Sequence, residues 1–356
     1  MEGKGVSGIP VCTLPMIRRT RILYAFLLLL LAGALGVAYL PRNVLSSAEQ
    51  IFLVQRGEGG REIALRLEQE GLIWSAPAFR LLALTMGAAD ELQTGAYEFS
   101  PSMSSLTILR KMRDGDMLKE RLTIPEGWNL RDIAWKLEGM GKFQAEELFE
   151  VAGFPAVDYR KALDLPPPQD FREMFPFLSD KPSYVGLEGF LFPDTYELTI
   201  EETPELLVRR MLQNFQEKYG TLAGTQGENV YEVVVMASLL EKEVQSMEDK
   251  RVVAGILFKR LEYGMPLQVD ATISYITGER NVAISRADLE RDSPYNTYLY
   301  TGLPLGPIAN PGVESMEAAL NPTESPYLYY LSTKEGETIF SRTLEEHNIA
   351  KARYLR

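Results

Sequence analysis

The apolar positions of this chain change period several times, and each change marks an element. Residues Ile22–Leu40 form one run of nineteen without a charge, ILYAFLLLLLAGALGVAYL. At ~1.5 Å per residue such a helix spans ~28 Å, close to the hydrocarbon thickness of a bilayer. A short β-type run, Ile51–Val54, comes next, followed by the glycine turn Arg56-Gly-Glu-Gly-Gly60 and an amphipathic helix over Glu62–Glu68 that stops at Gly71. Pro77–Met86 reads as a helix, Gly95–Phe99 as a strand and Ser105–Arg113 as a helix. The first pattern then recurs. Arg121–Ile124 is a strand, Pro125-Glu-Gly-Trp128 a glycine turn, and Asp132–Glu138 a helix ending at Gly139.

The aligned stretches Glu62-Ile-Ala-Leu-Arg-Leu-Glu68 and Asp132-Ile-Ala-Trp-Lys-Leu-Glu138 make this a small α+β unit used twice. With its strand–helix–helix–strand order, the first copy resembles a LysM-type glycan-binding module. Leu165-Pro-Pro-Pro168 marks a stiff connector, with loop continuing through Pro182. From Thr203 the period turns helical. Pro204–Tyr219 ends at Gly220, Val230–Val244 follows, and Asp249–Tyr263 closes at Gly264. Loops rich in Pro, Gly, Asn and Tyr run from Leu267 to Pro311, then Ser315–Leu320 gives a short helix. Tyr327–Ser332 and Thr338–Ser341 read as a hairpin turning at Lys334-Glu-Gly336. The fold class is α+β, without βαβ alternation.

Charge sharpens the first element. Arg18, Arg19 and Arg21 precede the apolar run, so the positive-inside rule keeps the N-terminus cytoplasmic. The run exceeds the 7–15 residues usual in a signal peptide and ends Ala-Tyr-Leu-Pro, a poor cleavage site, so it is read as an uncleaved signal anchor. Everything after Leu40 then lies outside the cytoplasmic membrane. Net charge is −12 over 356 residues, and the basic tail makes the exported part more acidic still. Such a chain repels phosphate backbones, which argues against a nucleic-acid partner. Its only Cys, Cys12, lies before the run, so the exported part forms no disulfides. One Cys and one His cannot supply the N/S ligands of a zinc or iron–sulfur site, and a His-dependent nucleophile would rest on His347 alone. Without a Gly-rich phosphate loop after a strand, pyridoxal-phosphate chemistry is not indicated, and no cofactor is expected. The chemistry must lean on carboxylates, hydroxyls and amides.

The most informative stretch is Val233-Val-Val-Met-Ala-Ser-Leu-Leu-Glu-Lys-Glu243. Its nearly unbroken apolar start describes a helix buried all round. Glu241 shares a face with Ala237 and Ser238, so one reading makes it a carboxyl in a low dielectric, suited to general acid work. In the other reading the helix ends there and Glu241, Lys242 and Glu243 are solvated. Glu243 is two positions on and faces elsewhere. In the loops beyond, Gln268, Asp270, Asn296 and Asn310 can hydrogen-bond sugar hydroxyls and acetamido groups, and Tyr295, Tyr298 and Tyr300 offer flat faces to sugar rings. The same residue types also serve turns. A two-carboxylate glycosidase would need Asp270 ~5–10 Å from Glu241.

Seven motifs in order carry a resemblance. They are Pro125-Glu-Gly-Trp128, Leu187-Glu-Gly-Phe-Leu-Phe-Pro-Asp-Thr-Tyr196, Ala237-Ser-Leu-Leu-Glu-Lys-Glu243, Gly264-Met-Pro-Leu-Gln-Val-Asp-Ala-Thr272, Ser293-Pro-Tyr-Asn-Thr-Tyr298, Gly302-Leu-Pro-Leu-Gly-Pro-Ile-Ala-Asn-Pro-Gly312 and Phe340-Ser-Arg-Thr-Leu-Glu-Glu-His-Asn348. Over about residues 50–350 the chain resembles the YceG-like endolytic murein transglycosylases. The resemblance implies a lytic transglycosylase that cleaves the MurNAc-β-1,4-GlcNAc bond of peptidoglycan without water and leaves 1,6-anhydro ends, with Glu241 as acid/base. It also implies termination of nascent strands beside the wall-building machinery. Where the family often has Asp-Pro-Thr and Gly-Leu-Pro-Pro-Gly, this chain has Asp270-Ala-Thr272 and Gly302-Leu-Pro-Leu-Gly306, changes of loop stiffness rather than of the acid. The expected organisation is a cytoplasmic tail (1–21), transmembrane anchor (22–40), linker (41–49), LysM-like module (50–117), second repeat-like module with connector (118–200) and catalytic domain (201–356) with a helical core and C-terminal hairpin. A membrane-tethered, non-catalytic glycan-binding scaffold is the alternative, separable because it would pellet with sacculi and leave them undigested.

Overall fold

The computed structural model describes residues 24–354 except 27, 30–32, 34–35, 47, 201, 223–226, 280–283 and 334–335. The predicted tail, with Cys12, and residues 22–23, 27, 30–32 and 34–35 of the predicted span therefore lie outside the described residues. Among those described, no helix is long and apolar enough to cross a membrane. The chain divides into two compact units, Met1–Glu120 with Thr199–Glu201, and Arg121–Leu198 with Glu202–Arg356.

In the first unit, β1 (Gln50–Val54) and β2 (Gly95–Phe99) pair antiparallel with Phe52 opposite Tyr97. Between them lie α1 (Gly60–Gln69) and α2 (Ala76–Thr85), and α3 (Ser105–Asp114) follows. The order strand, helix, helix, strand is the one expected from the periodicity. Alternation along β1 and β2 turns Phe52, Val54, Tyr97 and Phe99 onto Ile63, Leu67, Phe79 and Leu109, all buried. Ser104 caps α3 by accepting from the Thr107 N–H, and Gly115 closes it at φ 70°.

The second unit opens within β3 (Glu120–Thr123), which pairs with β4 (Thr195–Leu198) across an intervening α4 (Leu130–Gly139), α5 (Ala145–Ala152) and a 3₁₀ turn at Pro176–Asp180. Then come α6 (Pro204–Tyr219), α7 (Val230–Glu243) and α8 (Met247–Glu262), each started by a side-chain cap from Thr203, Asn229 or Ser246. The segment expected to be loop from Leu267 to Pro311 contains two further helices, α9 (Asp270–Thr277) and α10 (Arg286–Leu289). α9 lacks a side-chain cap and is short, so its sequence signal is weak, and Gly278 stops it at φ 74°. α11 (Val313–Leu320), the hairpin of β5 (Tyr329–Ser332) and β6 (Thr338–Ser341), and α12 (Leu344–Tyr354) complete the unit.

Residues 121–198 and 202–356 share one core, in which Leu130, Ile133 and Phe190 join Met211, Val234, Leu240, Leu257 and Met316. The cause is α7. Val233–Leu240 are buried without interruption, so elements from both stretches must cover the helix on every side. Each such aliphatic side chain contributes roughly 1.5–3 kcal/mol by leaving water.

Candidate active site

Helix α7 delivers three charged residues where its apolar run ends. Glu241 has only 10% of its side chain exposed. Its Oε2 accepts from the Gly312 N–H at 3.1 Å and from the Ser315 hydroxyl at 2.5 Å, with the Lys250 ammonium at 3.5 Å. Gly312 is the N-cap of α11 and Ser315 lies in its first turn, so the carboxylate also sits at the positive end of a helix dipole. Lys250, on α8, is 3% exposed. Between the two sequence readings, the structure gives a carboxyl embedded among α7, α8 and α11 rather than a solvated helix end.

Beside Glu241 lies the turn Pro125–Trp128. Gly127 takes φ 76°, its N–H donates to the Asn310 carbonyl at 2.9 Å, and its own carbonyl accepts from Lys242 Nζ at 3.2 Å. This holds Glu126 close to Glu241. Burial, then the Glu241 charge, pushes the Glu126 carboxyl above its ordinary range, while Lys250 pulls the other way. Glu126 stands on the wall of a cleft of about 520 Å³ that also takes in Trp128, Arg131, Asp132 and Trp135 from the turn and α4, Lys242 and Glu243 from α7, and Asp270 and Ser274 from α9. Trp135 is half exposed and lines the cleft. On the wall, Glu243 receives the Tyr330 hydroxyl at 3.0 Å, and burial raises its carboxyl to about 7. Asp270 accepts from the Tyr298 hydroxyl.

Of the loop residues expected to bind sugar, only Asp270 stands on this wall. Asn310 is fully buried. Its Oδ1 accepts from the Gly189 and Leu191 N–H groups at 2.9 and 3.0 Å, and its Nδ2 donates to the Trp128 carbonyl and Glu188 at 3.0 and 3.2 Å. Every hydrogen-bonding capacity of that amide is used inside the protein. Asn296 is likewise consumed by its own loop, through the Leu289 and Arg291 carbonyls and the Tyr298 N–H. Tyr295 is buried against Tyr275 with ring centroids 5.2 Å apart. Gln268 is exposed and accepts from Arg260 at 2.8 Å. His347 stacks on Tyr329 of the hairpin at 5.3 Å, a packing role.

Sequence gives no role to three carboxyl groups that the structure singles out. Glu126 was hidden in a turn that looked purely conformational. Glu243 does face away from Glu241, but that face forms part of the cleft wall. Glu188, 3% exposed, is raised to about 7 by burial and joins the start of α4 to α9 by accepting from the Leu130 N–H and the Tyr275 hydroxyl, both at 3.1 Å. A Glu flanked by apolar residues, as in Leu187-Glu-Gly-Phe190, was the available signal.

The fold is α+β, and the described residues lining its cleft include several carboxyls and two tryptophans but no His or Cys. The YceG-like family is matched over residues 52–353, and the chain belongs to it. It is 33% identical over 308 residues to the endolytic murein transglycosylase of Bacillus subtilis (strain 168), covering 85% of this chain and 84% of the relative. It is 31% identical over 349 residues to the endolytic murein transglycosylase of Streptococcus pneumoniae (serotype 2), covering 91% of this chain but 62% of that longer protein. A crystal structure of a yceG-like protein from Listeria monocytogenes aligns with TM-score 0.55 and 32% identity, over 85% of this chain and 99% of the other.

Proposed function

We propose that this protein is an endolytic murein transglycosylase, with Glu241 the central catalytic carboxyl group. The observation that carries the reading is the setting of Glu241. It ends a buried helix, is gripped by Gly312, Ser315 and Lys250, and adjoins, through Glu126 and Lys242, a cleft of about 520 Å³. The names of the relatives from Bacillus subtilis and Streptococcus pneumoniae supply the substrate class.

The bond broken is the β-1,4 link between N-acetylmuramic acid and N-acetylglucosamine. In the one-carboxyl form of the mechanism, protonated Glu241 gives its proton to the glycosidic oxygen as the C1–O bond breaks. The resulting carboxylate then takes the proton of the muramoyl 6-hydroxyl as that oxygen closes onto C1. No water is consumed, and the product carries a 1,6-anhydromuramoyl end. The tryptophan faces stack on sugar rings, and Asp270 bonds a hydroxyl. The proposal includes the anchor at Ile22–Leu40, the cleft on the outer side of the bacterial cytoplasmic membrane, glycan binding by the residue 50–117 module, and the ending of nascent strands near the synthesis machinery.

Digestion of purified, uncrosslinked glycan strands, with product ends identified by mass spectrometry, tests the reading. Wild-type protein gives internal cleavage and anhydro ends, and Glu241→Gln gives neither. Anhydro ends from the Glu241→Gln protein would overturn the assignment, and strands bound but left intact by wild type would favour a scaffold.

A further inference from the structure

Resting on that reaction, we propose that Glu126 is a second catalytic carboxyl group, which donates the proton to the glycosidic oxygen while Glu241 takes the proton from the 6-hydroxyl. The two carboxyls meet around one residue. The Gly312 N–H donates to Glu241 Oε2 at 3.1 Å, and a Cβ built on Gly312 would lie 1.9 Å from Glu126 Oε1. Lys242 Nζ, bonded to the Gly127 carbonyl, fixes the turn that carries Glu126 to the helix that carries Glu241.

The surroundings of the two groups differ, and the difference assigns the roles. Glu241 has three donors on Oε2, one of them the buried Lys250 cation, which suits a carboxylate. Glu126 is on the cleft wall, where a scissile oxygen can reach it. Two like charges brought this close are unfavourable together. Burial and the Glu241 charge both favour the proton on Glu126; Glu314 on α11 adds to this, and Lys250 offsets it in part. The same wall also carries Arg131, Asp132, Lys242, Glu243, Asp270 and Glu279.

The proton count closes. Glu126 loses its proton to the glycosidic oxygen, whose bond to C1 breaks with the electron pair leaving on that oxygen as the 4-hydroxyl of the departing sugar. The 6-oxygen forms the new bond to C1 and gives its proton to Glu241. The pair ends with one proton, as it began, on the other carboxyl; its return to Glu126 resets the site.

The test uses the full-length protein in detergent with uncrosslinked glycan strands, following anhydro ends against pH alongside thermal unfolding. For wild type the rate falls on the alkaline side as Glu126 loses its proton. Glu126→Gln lowers the maximal rate at least ~100-fold and removes that alkaline fall, with unfolding unchanged. Glu126→Asp keeps an acid on a shorter arm, so it retains part of the rate and the alkaline fall. Should Glu126→Gln not fold, the Glu126→Asp profile decides: a shifted alkaline fall supports the role, and wild-type rate with an unmoved profile overturns it. A Glu126→Gln protein within threefold of wild type, with the same profile, also overturns it and leaves the transglycosylase reading intact. Absence of anhydro ends from wild type would sink that reading instead.

Discussion

Gly312 leaves the space that Glu126 fills: a Cβ on Gly312 would fall 1.9 Å from Glu126 Oε1. The glycine is at φ −78°, which any residue adopts, so it is required here for space and not for backbone freedom. Gly312→Ala is therefore expected to push the Glu126 carboxyl, the end of a flexible side chain, out of its place beside Glu241. The rate of anhydro-end formation should fall at least ~10-fold, while unfolding free energy changes by less than about 1 kcal/mol. An unchanged rate would mean that the position of Glu126 has no bearing on the reaction.

Lys250 and Glu241 form an ion pair with both partners nearly out of water. Removing one partner leaves the other charge buried, a loss of roughly 3 kcal/mol in typical cases. Lys250→Met should thus lower the urea midpoint strongly. The double change Lys250→Met with Glu241→Gln should recover much of that loss, because no charge remains. Additive losses in this cycle would show that the two side chains are uncoupled.

Asn310 and Asp270, equal candidates by sequence, should part company in experiment. Asn310→Ala strands the Gly189 and Leu191 N–H groups and Glu188 in the interior, so it should cost at least about 3 kcal/mol of stability. Asp270→Ala, at an exposed position on the wall, should leave the melting temperature within about 2 °C and raise KM for glycan strands. If Asn310→Ala melted like wild type, its four bonds would not hold the loops together.

The stability of this unit should fall as pH rises from about 5 to about 7. Burial lifts the Glu188 and Glu243 carboxyls from their usual value near 4.5 to about 7. Between those values the folded state holds protons that the unfolded chain has released, so raising the pH favours unfolding. For the nearly unexposed Glu188, the full effect is on the order of 3 kcal/mol. Urea midpoints measured at steps from pH 4.5 to 7.5 should show the decline, and Glu188→Gln should flatten it. An equally steep slope in that variant would place the linkage elsewhere.

Local sequence was sufficient for what local physics controls. The period of 3.6 marked α6, α7 and α8 closely, and the structure shows Thr203, Asn229 and Ser246 satisfying their starts within a few residues of chain. The solid apolar run Val233–Leu240 announced a helix in the core, and Glu241 at its end stood out for the same reason. α9 was missed because it has no side-chain cap and few turns, and is held by packing on α7. The shared core of residues 121–198 and 202–356 was not legible either, since two stretches far apart in sequence cover the same buried helix.

Sequence by itself determined the α+β class and the main helices, since each depends on neighbours within one or two turns, but it left open whether Glu241 is embedded or solvated. Only the tertiary structure decided which polar residues would face the cleft and which would be used up inside. Asn296 and Asn310 carry the same amide, but whether it meets a substrate or a buried N–H depends on chain segments up to 182 residues away, as with the Trp128 carbonyl. The approach of Glu126 to Glu241, likewise, exists only because a turn, a helix end and a glycine from three separate segments meet at one point.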